Sequence, residues 1–330
     1  MRSVTATPLY WQPTASRERL VQRAAVIQKI RRFFAERQVL EVETPILGAA
    51  SATDPHIESL TTRYAVGTAD DALFYLQTSP EFAMKRLLAA GSGDIFQISR
   101  VFRNGELGRL HNPEFTLLEW YRVGFDLHHL MDEVDQFLRK IAATGEAERL
   151  SYAEAFTRFT GGINPHTATL AELRCCVESQ GIRLSESCVT YQRDEWLDLI
   201  ISQLVSPHLG RGCPTFIYDF PASQAALARI RPGEVAVAER FEVFIDGIEI
   251  ANGYYELLDP VEQQRRFQYD NRQREAMGLA PVVEDQALLA ALQAGMPACA
   301  GVAIGVDRLL MGISGVSSIA EVIAFPLDRA

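Results

Sequence analysis

Residues 102–122 read FRNGELGRLHNPEFTLLEWYR, and this stretch decides how the rest of the chain is interpreted. DIFQISRVFR (94–103) leads into it and EFTLLEWYRV (114–123) leads out. Both runs are rich in aromatic and β-branched residues, which predicts two antiparallel strands. The link carries Arg103, Asn104, Glu106, Arg109, His111 and Asn112. It is longer than the usual hairpin connection of about 2–5 residues, and long polar loops often carry function. Alternation places Phe115, Leu117, Glu119 and Tyr121 on one strand face. A glutamate beside a tyrosine on that face suits an ammonium group, and Arg103 at the base of the loop suits a phosphate. The other reading is an exposed hairpin with a solvated tip.

The chain has 330 residues, 48% hydrophobic and 22% charged, enough for one large globular domain or two modest ones. The net charge of −10 argues against a broad nucleic-acid footprint, which needs clustered Lys and Arg. The nearest cluster, Lys29-Ile30-Arg31-Arg32, falls inside an amphipathic helix pattern. An acidic balance fits small cationic substrates or a basic partner better. Five cysteines (Cys175, Cys176, Cys188, Cys213, Cys299) form no C-x-x-C pair and no zinc spacing, as expected of reduced thiols in the cytoplasm. The start, MRSVTATPLYWQPTA, has no apolar signal core, and no apolar run reaches the ~18 residues of a membrane span.

Residues 17–38 predict a helix, with Leu20, Ala24, Ile27, Ile30 and Phe34 on one face. LEVETPIL (40–47) alternates like a strand and is broken by Pro45. Ser79 is a good N-cap, Pro80 suits a first helical position and Gly91 closes that helix. Glu81 then faces the positive helix end, a bland role, or binds a cation. Helical patterns at 127–142, 168–180 and 194–205 are expected to pack outside any site. In FEVFIDGIEIANGYYEL (241–257), Asp246-Gly247 is a two-residue hairpin signal. A tight turn puts 244 opposite 249 and 242 opposite 251, making Glu242 and Glu249 diagonal neighbours. A cation between them, best Mg²⁺, would relieve their repulsion; two solvated glutamates are the alternative. Glu256 lies beyond Asn252-Gly253, where glycine allows a bulge. Asp259-Pro260 caps a polar helix ending at Gly278, and 285–294 forms another. In GVAIGVDRLLMGISG (301–315) a short strand passes through Gly305 into a helix. Arg308 sits in its first turn, where a cation opposes the dipole unless an anion such as phosphate is present.

These motifs carry a family resemblance. Arg103-Asn104 followed by His111-Asn112-Pro113-Glu114-Phe115 resembles the second signature motif of class II aminoacyl-tRNA synthetases, in its lysyl version. The helix, strand and proline of about 17–47 resemble the first motif, which builds the dimer interface in that family, and about 301–326 resembles the third. The resemblance implies an α+β class II aminoacyl-tRNA synthetase catalytic fold, a mainly antiparallel sheet flanked by helices. It implies one domain over 1–330, with motif two at about 94–123 and a variable helical region at about 125–210.

The same resemblance implies roles. Arg103 and Arg308 would be catalytic, Arg103 on the α-phosphate and substrate carboxylate and Arg308 on the terminal phosphate. Asn104, Gly105, Glu106, His111, Asn112 and Phe115 would bind ATP, with Glu249, Ile250 and Gly305. Glu242 and Glu249 would hold Mg²⁺. Ser79, Pro80, Glu81, Glu119 and Tyr121 would bind the substrate, together with Asn252, Glu256 and Ala303.

Three departures narrow the resemblance. The first motif starts within twenty residues of Met1, so the N-terminal OB-fold anticodon-binding domain of lysyl enzymes is expected to be missing. Lysyl enzymes have Gly-x-Gly-Ile-Gly in motif three, where this chain has Gly301-Val302-Ala303-Ile304-Gly305. The usual Arg-Asn-Glu reads Arg103-Asn104-Gly105-Glu106, so the glutamate that meets adenine is either lost or replaced by its neighbour. The short length and the alanine resemble the elongation factor P–(R)-β-lysine ligase family. That implies activation of (R)-β-lysine or lysine with ATP and Mg²⁺, transfer to a lysine ε-amine of elongation factor P, a cytoplasmic homodimer, and no tRNA anticodon binding. The alternatives are a lysine-activating ligase acting on tRNA or another carrier, and an inactive regulatory paralogue. Intact Arg103, Glu242, Glu249 and Arg308 argue against the latter.

Overall fold

The computed structural model describes residues 11–64, 72–182 and 191–330, so Cys188 lies outside the described residues. The two strands predicted around the long loop are present. β5 (Ile95–Phe102) and β6 (Glu114–Val123) pair antiparallel from Ile95↔Tyr121 to Phe102↔Glu114. They belong to a nine-stranded sheet ordered β1-β5-β6-β12-β11-β10-β8-β7, with β9 on β10. Its other strands are β1 (Leu40–Glu41), β7 (Glu148–Ser151), β8 (Thr215–Pro221), β9 (Ile230–Arg231), β10 (Val237–Ile245), β11 (Ile248–Tyr255) and β12 (Cys299–Gly305). Only β1·β5 and β7·β8 are parallel. A second, three-stranded sheet joins β2 (Leu47–Gly48), β4 (Ala72–Leu76) and β3 (Thr61–Tyr64). The architecture is therefore α+β, a mainly antiparallel sheet with helices against it.

One face of the large sheet is closed. α1 (Arg17–Ala35), capped by Ser16, and α3 (Leu127–Ala142) pack on it with α9 (Val306–Ser314). Phe33, Phe34 and Phe137 meet Trp120 and Leu118, the β6 residues that alternate with Glu119 and Tyr121. α4 (Tyr152–Thr160), α5 (Leu170–Ser179) and α6 (Arg193–Ile200) form a second core against β8 and the end of β10. α2 (Glu81–Ala89), α7 (Pro260–Ala276) and α8 (Gln286–Gly295) enclose a third around Met84, Phe267, Leu288 and Tyr121. No helix among the described residues is long and apolar enough to cross a membrane.

Four expectations change. The 40–47 strand breaks into two two-residue pieces: the chain pairs with β5 and then leaves for the second sheet. Pro45, which has no N–H to donate, sits at that departure. The 241–257 hairpin does turn at Asp246-Gly247, both with positive φ. However, the pairing runs Phe244↔Glu249 but Val243↔Ala251, so Ile250 is an extra residue and Glu242 faces Asn252, not Ala251. Gly253 is no bulge: a Cβ there would lie 2.5 Å from the Phe241 ring, so the glycine makes room for that ring. Finally, region 125–210 also contains β7 and α4, and it does not lie wholly outside the site. The start of α6 places Asp194 and Asp198 on the wall of the cavity described below.

α9 is anchored by a buried charge. Asp307 is 1% exposed and meets Arg23 Nη1 at 2.5 Å, and its Oδ2 accepts from the Thr116 backbone N–H at 2.7 Å. Arg23 Nη2 also donates to Thr116 Oγ1 at 2.6 Å. Arg23→Met strands the aspartate in an apolar setting, so urea unfolding should show a loss of about 3 kcal/mol. A change under ~1 kcal/mol would mean that the pair contributes no more than an exposed one.

Candidate active site

The open face of the large sheet forms the floor of a cavity of about 1120 Å³. Register aligns its side chains in rungs across the strands. Gln97, Glu119, Ala303, Asn252 and Glu242 are paired neighbours on β5, β6, β12, β11 and β10. Two residues along, Tyr121, Gly301, Tyr254 and Arg240 form the next rung on the same face. β12 therefore contributes only Gly301, Ala303 and Gly305 to the centre of the floor, a bare strip between polar strands. A Cβ at Gly301 would sit 2.3 Å from the Tyr121 ring and 2.7 Å from Glu256 Oε1, so no side chain fits there. From Phe115 to Tyr121 the β6 face runs about 20 Å at about 3.4 Å per residue, long enough for two small reactants end to end.

One end is acidic. Ser79 Oγ accepts from the Glu81 N–H at 3.0 Å, but α2 begins at Glu81 with Pro80 in the cap position, so Ser79 and Pro80 each stand one place earlier relative to the helix than the sequence suggested. The same hydroxyl donates to Glu119 Oε2 at 2.6 Å, and Tyr121 Oη donates to Glu119 Oε1 at 2.7 Å. Burial, reinforced by the charge of Glu81, pushes the Glu119 carboxyl up to about 8. Glu256, just past β11, is raised to about 7 by burial, against the pull of Lys85. Lys85 is a residue that sequence reasoning missed. It is 1% exposed, with Nζ 2.6 Å from Glu81 Oε1 and 2.6 Å from Glu256 Oε2. Burial opposes its charge, but Glu256 and Glu81 outweigh burial and hold the ammonium above the usual lysine range.

The other end is basic. Arg103 lines the cavity with its Nε buried and without a hydrogen-bond partner, while its Cζ lies 5.2 Å above the Phe115 ring and its Nη1 3.7 Å from Glu106 Oε1. Arg308 donates to the Glu249 carbonyl at 3.0 Å and to His111 Nε2 at 2.6 Å. Burial and then the Arg308 charge lower the His111 pKa, keeping its ring neutral and able to accept that bond. Glu106 faces the cavity while the loop turns at Gly105 (φ 76°). The inserted glycine thus lets the next residue take the inward position.

The cavity gathers most predicted site residues: Ser79, Pro80, Glu81, Arg103, Glu106, His111, Asn112 and Phe115, with Glu119, Tyr121, Glu249, Ile250, Asn252, Glu256, Ala303, Gly305 and Arg308. Three do not reach its wall. Asn104 and Gly105 are exposed on the outer side of the turn, where the Asn104 N–H bonds the Glu58 carbonyl at 2.7 Å. Glu242 is buried and turned onto Arg240. Asn112 lines the wall, but its amide is spent on backbone: it donates to the Glu114 carbonyl at 2.6 Å and accepts from the Leu327 N–H at 3.0 Å. Arg240, unforeseen, also donates to Asn252 Oδ1 at 3.3 Å, which leaves the amide nitrogen of Asn252 for a guest. Its alternation with Glu242 on β10 was a usable signal.

A metal fits this site only in company. No group of three or more His, Cys, Asp or Glu side chains among the described residues could hold one. Glu242 is raised to about 7 by burial, opposed by Arg240 and then reinforced by repulsion from Glu249. Two mutually repelling carboxylates suit a Mg²⁺ that takes its remaining ligands from phosphates and water.

The model of the class II (D, K and N) tRNA synthetases matches residues 6–329. The chain is 52% identical over 322 residues to the elongation factor P–(R)-β-lysine ligase of Vibrio campbellii, covering 97% of this chain and 99% of that one. It is 50% identical to the ligase of the same name from Hamiltonella defensa, over 97% of this chain and 98% of that one. To the Salmonella paratyphi B ligase it is 52% identical over 330 residues, 99% and 100% of the two chains.

The acidic end makes a stability prediction. A carboxyl raised in the folded state adds stability in full below its unfolded pKa near 4.5, and that stability is lost as pH rises through the folded value. Glu119, raised to about 8, should therefore cost the empty protein stability between about pH 5 and pH 8. Unfolding free energies measured at pH 6 and pH 8.5 should differ less in Glu119→Gln than in the unsubstituted protein. Identical slopes would place the titration elsewhere.

Proposed function

The chain belongs to the class II (D, K and N) tRNA synthetase family, and from that premise we propose that it is the ligase that activates (R)-β-lysine with ATP and transfers it to a lysine ε-amine of elongation factor P. The observation that carries this reading is one cavity with two ends of opposite charge: Glu81, Glu119 and Glu256 at one, Arg103 and Arg308 at the other. The first suits a guest with two ammonium groups, the second a triphosphate.

ATP use follows from the family. The substrate carboxylate attacks the α-phosphorus, the bond to the β-phosphate oxygen breaks, and pyrophosphate leaves. Negative charge grows on phosphate oxygens, so what the protein supplies is placement and fixed positive charge. The unpartnered Arg103 Nε is set for the α-phosphate and the substrate carboxylate. Arg308, now resting on carbonyls and neutral His111, is set for the leaving phosphates. Phe115 offers a stacking face for the adenine, and Glu106 an inward acceptor for its amine. Glu249 on the cavity wall, joined by Glu242 once that carboxylate turns from Arg240, would hold Mg²⁺, which neutralises phosphate charge when bound. Glu81, Glu119 and Glu256 hold the two amines, with Tyr121 orienting Glu119. The Ala303 methyl narrows the floor between Glu119 and Asn252 and so bears on which lysine isomer fits. In the second step the acceptor amine attacks the adenylate carbonyl, the bond to the phosphate oxygen breaks and AMP leaves. No side-chain nucleophile takes part. Asp54, Asp194 and Asp198 line the cavity too, and their field favours an incoming lysine ammonium.

We also place a second copy of the chain on the exposed apolar side chains Leu47 and Tyr64, which share one face of the small sheet.

The deciding experiment incubates the protein with ATP, (R)-β-lysine and purified elongation factor P and weighs the product. One added β-lysyl group is expected; label appearing on tRNA instead would redirect the reading. Arg103→Ala should cut pyrophosphate exchange by about 10³-fold without changing the unfolding transition. For the second copy, sedimentation should give a dimer that Leu47→Asp with Tyr64→Asp converts to monomer. A monomer from the start would remove that partner.

A further inference from the structure

Lys85 has no place in the steps above, yet it is buried behind the acidic end of the cavity and does not line it. It rises from the second turn of α2, one turn after Glu81. Its ammonium meets Glu81 Oε1 and Glu256 Oε2, each at 2.6 Å, and so joins the start of α2 to the end of β11. Each carboxylate keeps a second oxygen that Lys85 does not take. Resting on the substrate reading above, we propose that Lys85 is a positioning residue for the amino-acid guest: it ties Glu81 and Glu256 into one anionic clamp and sets how many positive charges the guest must bring.

The charge count explains why an ammonium stands where an apolar side chain could pack. Glu81, Glu119 and Glu256 bring three negative charges when ionised, and Lys85 returns one. The balance is two, matching the two ammonium groups of a lysine isomer and exceeding what a monoamine supplies. Without Lys85, two buried carboxylates and the half-buried Glu81 would face one another, and the cheapest relief would be to take up protons. A protonated carboxyl grips an ammonium poorly. The fixed cation therefore opposes the burial that raises Glu256, favouring the ionised clamp, and ties its two halves together.

The test is binding calorimetry on the full chain, which needs no turnover. (R)-β-lysine is titrated in, then a β-amino acid of the same length lacking the terminal amine, then ATP with Mg²⁺. Lys85→Met keeps the aliphatic stem and removes the charge. It should weaken (R)-β-lysine binding by 30-fold or more, bring the diamine and the monoamine within about 3-fold of each other, and leave ATP binding within 2-fold. If Lys85→Met does not fold, Lys85→Met with Glu256→Gln restores the charge balance and is compared with Glu256→Gln alone. Because the double variant leaves two net negative charges where Glu256→Gln alone leaves one, it should bind (R)-β-lysine no more than 3-fold more weakly than the single variant. The inference is overturned by unchanged discrimination in Lys85→Met, by a parallel loss for ATP, or by a further 10-fold loss in the double variant. No diamine binding by the unsubstituted chain overturns it as well. Diamine binding without pyrophosphate exchange would instead sink the proposed reaction and leave the clamp standing.

Discussion

Carboxylates held out of water with too few counter-charges set the terms for everything around them. Glu119 and Glu256 lie nearly inaccessible on the open sheet face, with Glu81 beside them, and burial drives the first two toward their protonated forms. Such an arrangement persists only if hydrogen bonds and opposite charge offset the lost hydration. The Ser79 and Tyr121 hydroxyls supply the hydrogen bonds and Lys85 the charge. Under the proposed reading, the two ammonium groups of the guest supply the remaining positive charge.

The scaffold makes this tolerable by dividing the sheet into two faces. The same strand that carries Glu119 and Tyr121 inward sends Leu118 and Trp120 outward into the packed core under α1, α3 and α9. Phe33, Phe34, Phe96 and Phe137 gather around Trp120 there, and each aromatic pair adds about 0.5–1.5 kcal/mol beyond the area it buries. A well-packed back allows a poorly solvated front. The Asp307–Arg23 pair extends the same logic to the basic end, fixing the first turn of α9 so that Arg308 leaves it toward the cavity. At that end the groups are held ready by weak commitments. Arg308 rests on carbonyls and a neutral imidazole, and Arg103 keeps an unpaired nitrogen.

The linear order of residues settled the pieces whose physics is local. The β5–β6 pair followed from alternation, α3 and α7 from apolar spacing and caps, and the Asp246-Gly247 turn from its need for positive φ at both positions. Motif spacing further identified the fold family, and most of the site residues it named lie on the cavity wall. Tertiary structure decided what depends on partners far along the chain. Lys85 reads as an ordinary surface partner of Glu81 one helical turn away; only the return of the chain at Glu256 buries it and gives it a second carboxylate. The extra residue at Ile250 moves Glu242 one place along its neighbour, and no composition rule announces that slip. Asn112 loses its amide to the chain terminus 215 residues away, and α6 swings from an outer layer to the cavity wall. Periodicity and capping act over a few residues, so they are written in the neighbourhood of each position. Burial and charge balance are sums over everything within reach, and they exist only once the chain has closed.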